Sequence, residues 1–111
     1  MSRYLLIESR DPFEYGDARY MYDLAGELVG RGNDVTLYLL QNGVLTVRQG
    51  VKGNPLASLP EGSAKVKVLA DDFSLRERGI ATSALAAGVQ VSNVDNLVDL
   101  LVQEGTKILW H

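Results

Sequence analysis

Two rhythms of apolar and polar residues run along this chain: short runs suited to strands, and longer stretches in which apolar residues return every three or four positions. Residues 4–8 form a short apolar run that empties into Ser9, Arg10, Asp11 and Pro12, the pattern of a buried strand leaving the core for a loop. From Asp17 onward, Tyr20, Met21, Leu24, Leu28 and Val29 recur at helical spacing, and Gly30, Arg31, Gly32 and Asn33 stop the helix. Residues 35–40 are apolar and rich in strand formers, and they end at Gln41, Asn42 and Gly43, which marks a second strand followed by a loop. Residues 43–59 are the least regular part. A short helix is expected over 44–49, then a connection through Gly53, Asn54 and Pro55 toward Pro60 and Gly62.

Charged and apolar side chains alternate over 65–69 and predict a third strand. Asp71 and Asp72 open a helix carrying Phe73 and Leu75, which Arg76, Glu77, Arg78 and Gly79 close. Val89 and Val91 mark a short fourth strand. Ser92 or Asn93 caps a helix whose Val94, Leu97, Val98, Leu101 and Val102 form one stripe, Gly105 ends it, and residues 107–110 give the last strand. The alternation predicts an α/β fold, a three-layer sandwich with a mostly parallel sheet of about five strands and helices on both faces, because parallel neighbours require crossover connections. Flavodoxin-like and receiver-like domains share this layering, but the chain is short for the first and lacks a phosphoacceptor set for the second.

In such sheets the loops leaving the carboxyl ends of the strands meet at one edge, where ligands bind. Residues 9–16, 41–43 and 71–73 meet there with Ser92 and Asn93. The candidate cleft or partner site is therefore Arg10, Tyr15, Asn42, Gly43, Asp71, Asp72, Ser92 and Asn93.

Composition narrows the chemistry. The 111 residues, 46% hydrophobic and 23% charged, suit a single domain over 1–111 with one core. A formal net charge of -3 with scattered basic residues argues against nucleic acid, which needs Lys and Arg gathered on one face. The absence of cysteine removes disulfides, thiolate metal sites and a cysteine nucleophile. His111 is the one histidine, so no histidine triad or multi-histidine metal site can form within a chain, and its terminal position predicts fraying. No dinucleotide or phosphate-loop glycine spacing occurs, and no cofactor, metal or catalytic residue is expected. No apolar run approaches the ~20 residues of a membrane span. Met1 leads directly into strand-like residues without a signal-peptide pattern, so a soluble protein of the cytoplasm is expected, with no membrane partner.

Several stretches, taken in order, resemble the DsrE-like family, which includes the DsrE, DsrF and DsrH proteins and the TusB, TusC and TusD sulfur-relay subunits. Asp11, Pro12, Phe13, Glu14, Tyr15 and Gly16 after the opening strand resemble that family's first strand-to-helix unit. Gln41, Asn42, Gly43 and Val44 resemble the end of its second strand, residues 68–80 its third strand and the helix closing in Arg-Gly, and residues 88–97 its last strand-to-helix turn. The resemblance spans nearly the whole chain and lies in the order of the pieces.

Sulfur-relay members carry a reactive cysteine just after the third strand, approximately where Asp71 stands here. The resemblance thus implies a member that cannot carry a persulfide itself, because the sulfur carrier must be a thiolate. It also implies a homo-oligomer, trimer or hexamer, or a hetero-oligomer with cysteine-bearing DsrE-like homologues. The first functional expectation is a non-catalytic partner or small-ligand-binding subunit in sulfur relay or related metabolism. The alternative is a small-molecule binder or enzyme using Asp71 or Asp72 with Arg10 and Tyr15 at the same edge.

Each candidate also has an ordinary role. Asp71 and Asp72 could bind a metal or move protons, but an aspartate there is foremost a helix cap. Arg76 and Arg78 suit the negative end of a short helix and solvent. Asn42 and Gly43 read as a turn, with glycine supplying unusual backbone angles, and Ser92 and Asn93 as a cap. Phe13 and Tyr15 could pack on a neighbouring subunit. Tyr20, Met21 and Tyr22 offer more aromatic and sulfur surface than one helix face needs, which hints at a subunit contact.

Overall fold

The computed structural model describes residues 2–14, 16–51, 53–60 and 65–111. Five strands, β1 (Arg3–Glu8), β2 (Asp34–Leu39), β3 (Lys67–Asp71), β4 (Val89–Ser92) and β5 (Thr106–Trp110), pair in the order β4-β3-β2-β1-β5, every neighbour parallel. The α/β class and the five-stranded parallel sheet are as the sequence predicts. The central strands are apolar on both sides because both faces are covered: Leu5, Leu6 and Ile7 of β1 and Leu37, Tyr38 and Leu39 of β2 are all buried.

The two faces are unequally covered. On the first, α1 (Arg19–Gly30), α2 (Asp72–Glu77) and the 3-10 helix Gln41–Val47 pack Met21, Tyr22, Ala25, Val29, Val44, Val47 and Leu75 against Leu6, Leu37, Leu39, Val68 and Ala70. On the second, among the described residues, the helix is α3 (Val94–Leu101), which sets Leu97 with Leu100 and Leu101 over Leu5, Ile7, Tyr38 and Leu69.

Local chemistry sets the element ends. Asp71 caps α2 by accepting from the Ser74 N–H, and Asn93 caps α3 by accepting from Asn96 N–H. α2 stops at Gly79, whose φ of +65° only glycine adopts without cost; Gly79 N–H donates to Arg76 and Ile80 N–H to Leu75, consuming the last carbonyls.

Several expectations are corrected. The third strand begins at Lys67 and runs through Asp71, because its pairing register with β2 opens at Thr36 opposite Lys67. The helix expected over 44–49 is a 3-10 helix that starts earlier, at Gln41. Met21 and Tyr22 are core residues, which leaves Tyr20 as the exposed member of that trio. In α3 only Leu97 is buried, while Val94 and Val98 on the helix and Val102 just beyond it face solvent. Among the described residues, no helix is long and apolar enough to cross a membrane.

Candidate functional site

The strand order places a switch point that the linear pattern does not reveal. Connections from β1 to β4 step one way across the sheet, and then α3 carries the chain back over it to set β5 on the far side of β1. At the carboxyl ends of β1 and β5, where such reversals open a crevice in α/β sheets, stand Glu8 and His111. The Glu8 side chain is fully buried. His111 Nδ1 lies 2.8 and 2.9 Å from the two Glu8 carboxylate oxygens, and its Nε2 lies 3.1 Å from Asp17 Oδ2.

The main chain of His111 is equally engaged. Its N–H donates to Ile7 O at 2.8 Å, and its oxygen accepts from the N–H and the hydroxyl of Ser9, both at 2.9 Å. The fraying expected of this terminal residue is therefore wrong: parallel pairing and a buried carboxylate hold it. Burial pushes the Glu8 carboxyl above the usual carboxylate value, against the lowering influence of His111. Hydrogen bonding to Glu8 holds the His111 imidazole above its usual value, with Asp17 adding to the effect.

A second cluster lies at the ends of β2, β3 and β4. Asp71 Oδ2 accepts from Ser74 N–H at 2.9 Å and from the Ser74 hydroxyl at 2.7 Å, and Tyr38 Oη lies 3.4 Å from Asp71 Oδ1. Tyr38 also donates to Asn93 O at 2.9 Å, and burial pushes its hydroxyl up to about 12. Both Asp71 oxygens thus face partners within the fold. Ser74 Oγ further accepts from Gln41 N–H at 2.8 Å, holding Gln41 at a φ of +52°, an uncommon angle for a residue with a side chain.

The remaining candidates fall around these clusters. Asp72 pairs at 3.8 Å with Arg76, one turn on in α2. Asn42 accepts from Arg78 Nε at 3.0 Å, and Arg78 reaches Ser74 O at 3.2 Å, so Arg78 is tied down rather than simply solvated. Ser92 Oγ accepts from the Asn96 amide at 2.7 Å while Asn93 supplies the cap. Arg10 is exposed beyond β1, and its main-chain N–H lies 3.3 Å from Glu8 Oε1. Tyr15 lies outside the described residues.

Gly43 does not serve through unusual backbone angles, which belong to Gln41 two positions earlier; its use is closeness. A Cβ on Gly43 would stand 2.3 Å from Glu8 O, so the 3-10 helix can lie against the end of β1 only without a side chain there.

Sequence reasoning missed Glu8, His111 and Asp17. Their signal was present only as a polar residue closing an apolar strand and a lone histidine after the last strand; their partnership spans 103 positions. A cavity of about 520 Å³ opens at the other edge of the sheet, beside the amino ends of β2, β3 and β4, and includes Asp34, Lys67 and Gln90. It is remote from the carboxyl-edge clusters.

The Asp71 contacts carry a direct expectation. Asp71→Ala should cost about 1–2 kcal/mol in denaturant unfolding, the range for losing an N-cap. Asp72→Ala, which loses an exposed pair within one helix, should cost only ~0.3–0.5 kcal/mol. Equal losses would contradict the capping role.

No family model and no curated protein matches the chain. Among solved structures it is similar to the protein of unknown function MTH1491 from Methanobacterium thermoautotrophicum, with TM-score 0.81, 18% identity and 100% of both chains covered. It is equally similar to the ychN protein from E. coli, with TM-score 0.83, 19% identity and 100% of both chains covered. At these identities the likeness is one of fold: five parallel strands and their helices match these two structures from end to end.

Proposed function

We propose that the chain is a non-catalytic DsrE-like subunit of the cytoplasm that acts by association, with copies of itself or with a cysteine-bearing homologue, in sulfur relay or related metabolism. The observation that carries this reading is the apolar surface left beside α3 on the second face of the sheet. Ile108 and Trp110 pair in register with Leu5 and Ile7, which places them on that face, and they are 42% and 61% exposed. Val94, Val98 and Val102 add exposed apolar surface along α3 at one-turn spacing. Aromatic and aliphatic groups gathered on one face, rather than scattered singly, mark a surface that gains by being covered.

The Asp71 geometry supports the same reading from the other side. The residue standing near the sulfur-carrying position is committed to capping α2 and to Ser74, and a carboxylate carries no persulfide.

Native mass spectrometry of the chain, alone and mixed with cysteine-bearing DsrE-like proteins, tests this. A trimer, a hexamer or a mixed complex is expected, and Trp110→Lys should shift it toward monomer while the circular dichroism spectrum stays unchanged. A monomer in both settings, holding a stoichiometric small molecule, would overturn the proposal.

A further inference from the structure

The cluster of Glu8, His111 and Asp17 is not used by the association reading, and its proton count is constrained by geometry. His111 sets both ring nitrogens against carboxylates, Nδ1 at 2.8 and 2.9 Å from Glu8 and Nε2 at 3.1 Å from Asp17. A neutral imidazole has one N–H and one lone pair, so it donates to one carboxylate while its other nitrogen faces oxygen lone pairs. All contacts are satisfied together only when the cluster holds one more proton. That proton sits either on the ring, giving two donors, or on a carboxyl group that donates to the ring. Burial makes the count consequential, because a bare carboxylate at the fully enclosed Glu8 is costly without a donor.

The same cluster fastens backbone. Among the described residues β5 is an edge strand paired with β1, and its end is tied by His111 N–H to Ile7 O and by Ser9 to the His111 main-chain oxygen. The ring adds a tie to Asp17, in the 3-10 turn Gly16–Ala18 that leads into α1.

We propose that Glu8, His111 and Asp17 form a proton-operated clasp, which fastens the end of β5 to β1 and to the turn before α1 while it holds the extra proton and loosens when that proton is lost.

Among the described residues, several groups face the ring or the carboxylates it touches. Glu8 comes from β1 and Asp17 from the 3-10 turn. Tyr22 of α1 shares the electrostatic surroundings of Glu8, with its hydroxyl 3.2 Å from that of Thr46, and Asp11 acts on Tyr22 from the loop after β1. Arg10 offers its main-chain N–H to Glu8 Oε1 at 3.3 Å, and the 3-10 helix Gln41–Val47 presents the main chain of Gly43.

The direction of the response follows from the folded and unfolded proton affinities. His111 is raised above its usual 6.5, so its contribution is fully present below that value and is lost as pH rises through its folded-state value. Glu8 is raised above 4.5, so its contribution also fades as pH rises, through its own raised value. Both groups favour the fastened state on the acid side. Because Trp110 directly precedes His111, loosening would also release part of the apolar face; that consequence rests on the association reading, whereas the clasp does not.

One histidine in the chain makes its ring resonances unambiguous, so an NMR titration of the untagged protein is the test. The expected midpoint lies above 6.5, with both ring nitrogens protonated on its acid side, and Asp17→Asn lowers it. Exchange protection of the Ser9 and His111 amides, corrected for intrinsic rates, should fall about tenfold across the midpoint, and His111→Gln should remove the step centred there, leaving only the one through the raised value of Glu8. A midpoint at or below 6.5, or pH-independent protection in the unaltered chain, would overturn the clasp. Oligomer mass measured on the same samples separates the two readings: a titrating clasp in a monomer leaves the clasp standing and sinks association, and a defined oligomer with a flat His111 does the reverse.

Discussion

Gly43→Ala is expected to lower stability by about 3 kcal/mol, the upper part of the usual range for forcing an extra carbon into a packed site. The added Cβ would lie 2.3 Å from Glu8 O and 3.1 Å from Glu8 C. These are backbone atoms of β1, an interior strand already fixed by pairing on both sides and by Leu40 N–H donating to Glu8 O at 3.1 Å, so no side chain can swing away to make room. The 3-10 helix must move instead, taking Val44 and Val47 out of the core. Urea unfolding reads the loss as a lower midpoint with an unchanged slope. Gly30→Ala is the control: nothing lies within 4 Å of a Cβ there, and as a helical glycine it should gain up to ~1 kcal/mol on becoming alanine. Equal effects at the two positions would mean that Gly43 is not in close contact with β1.

Tyr38→Ala should cost about 4 kcal/mol, in the range for emptying a buried aromatic site. Tyr38 is the largest residue of the small core beneath α3, whose other buried members are Leu5, Ile7, Leu69 and Leu97. Its hydroxyl also joins Asn93, the cap of α3, to the neighbourhood of Asp71, the cap of α2. Tyr38→Phe separates the two contributions and should cost only about 1 kcal/mol, the net worth of one hydrogen bond. Hydrogen exchange locates the damage: in the alanine variant, α3 amides should open well before those of β1 and β2. Uniform loss across the sheet would show that α3 does not depend on this residue.

Much of this fold was legible because its strands and helices differ in period. The run from Leu5 to Ile7 and the stripe from Met21 to Val29 correspond to buried faces of β1 and α1. The glycine stop at Gly79 and the caps at Asp71 and Asn93 follow from local chemistry that a short window contains. What a window cannot contain is which elements end up side by side. The stripe on α3 is equally regular at Val94, Leu97 and Val98, yet only Leu97 is enclosed, since enclosure depends on how much sheet the helix can cover. Gln41 bears the positive φ although Gly43 stands two residues away, because Ser74 of a distant helix fixes its N–H. At the carboxyl edge, several residues named from loop positions are engaged as caps and ties to neighbours outside that set, as Asp71 is to Ser74 and Asn42 to Arg78. His111 and Glu8 were hidden by distance along the chain and by the crossing that brings β5 beside β1.

That crossing also orders events in time. β1 pairs with β2 on one side and with β5 on the other, Leu5 facing both Thr36 and Ile108. During synthesis its second side stays open until β5 has emerged, presenting unpaired N–H and C=O groups of an apolar strand to whatever is near. Closing that contact joins residues from opposite ends of the sequence, which makes it a slow, non-local step. A nascent chain halted before β5 is thus the form of this protein most exposed to strand addition by another chain, and β5 is the strand that removes the hazard.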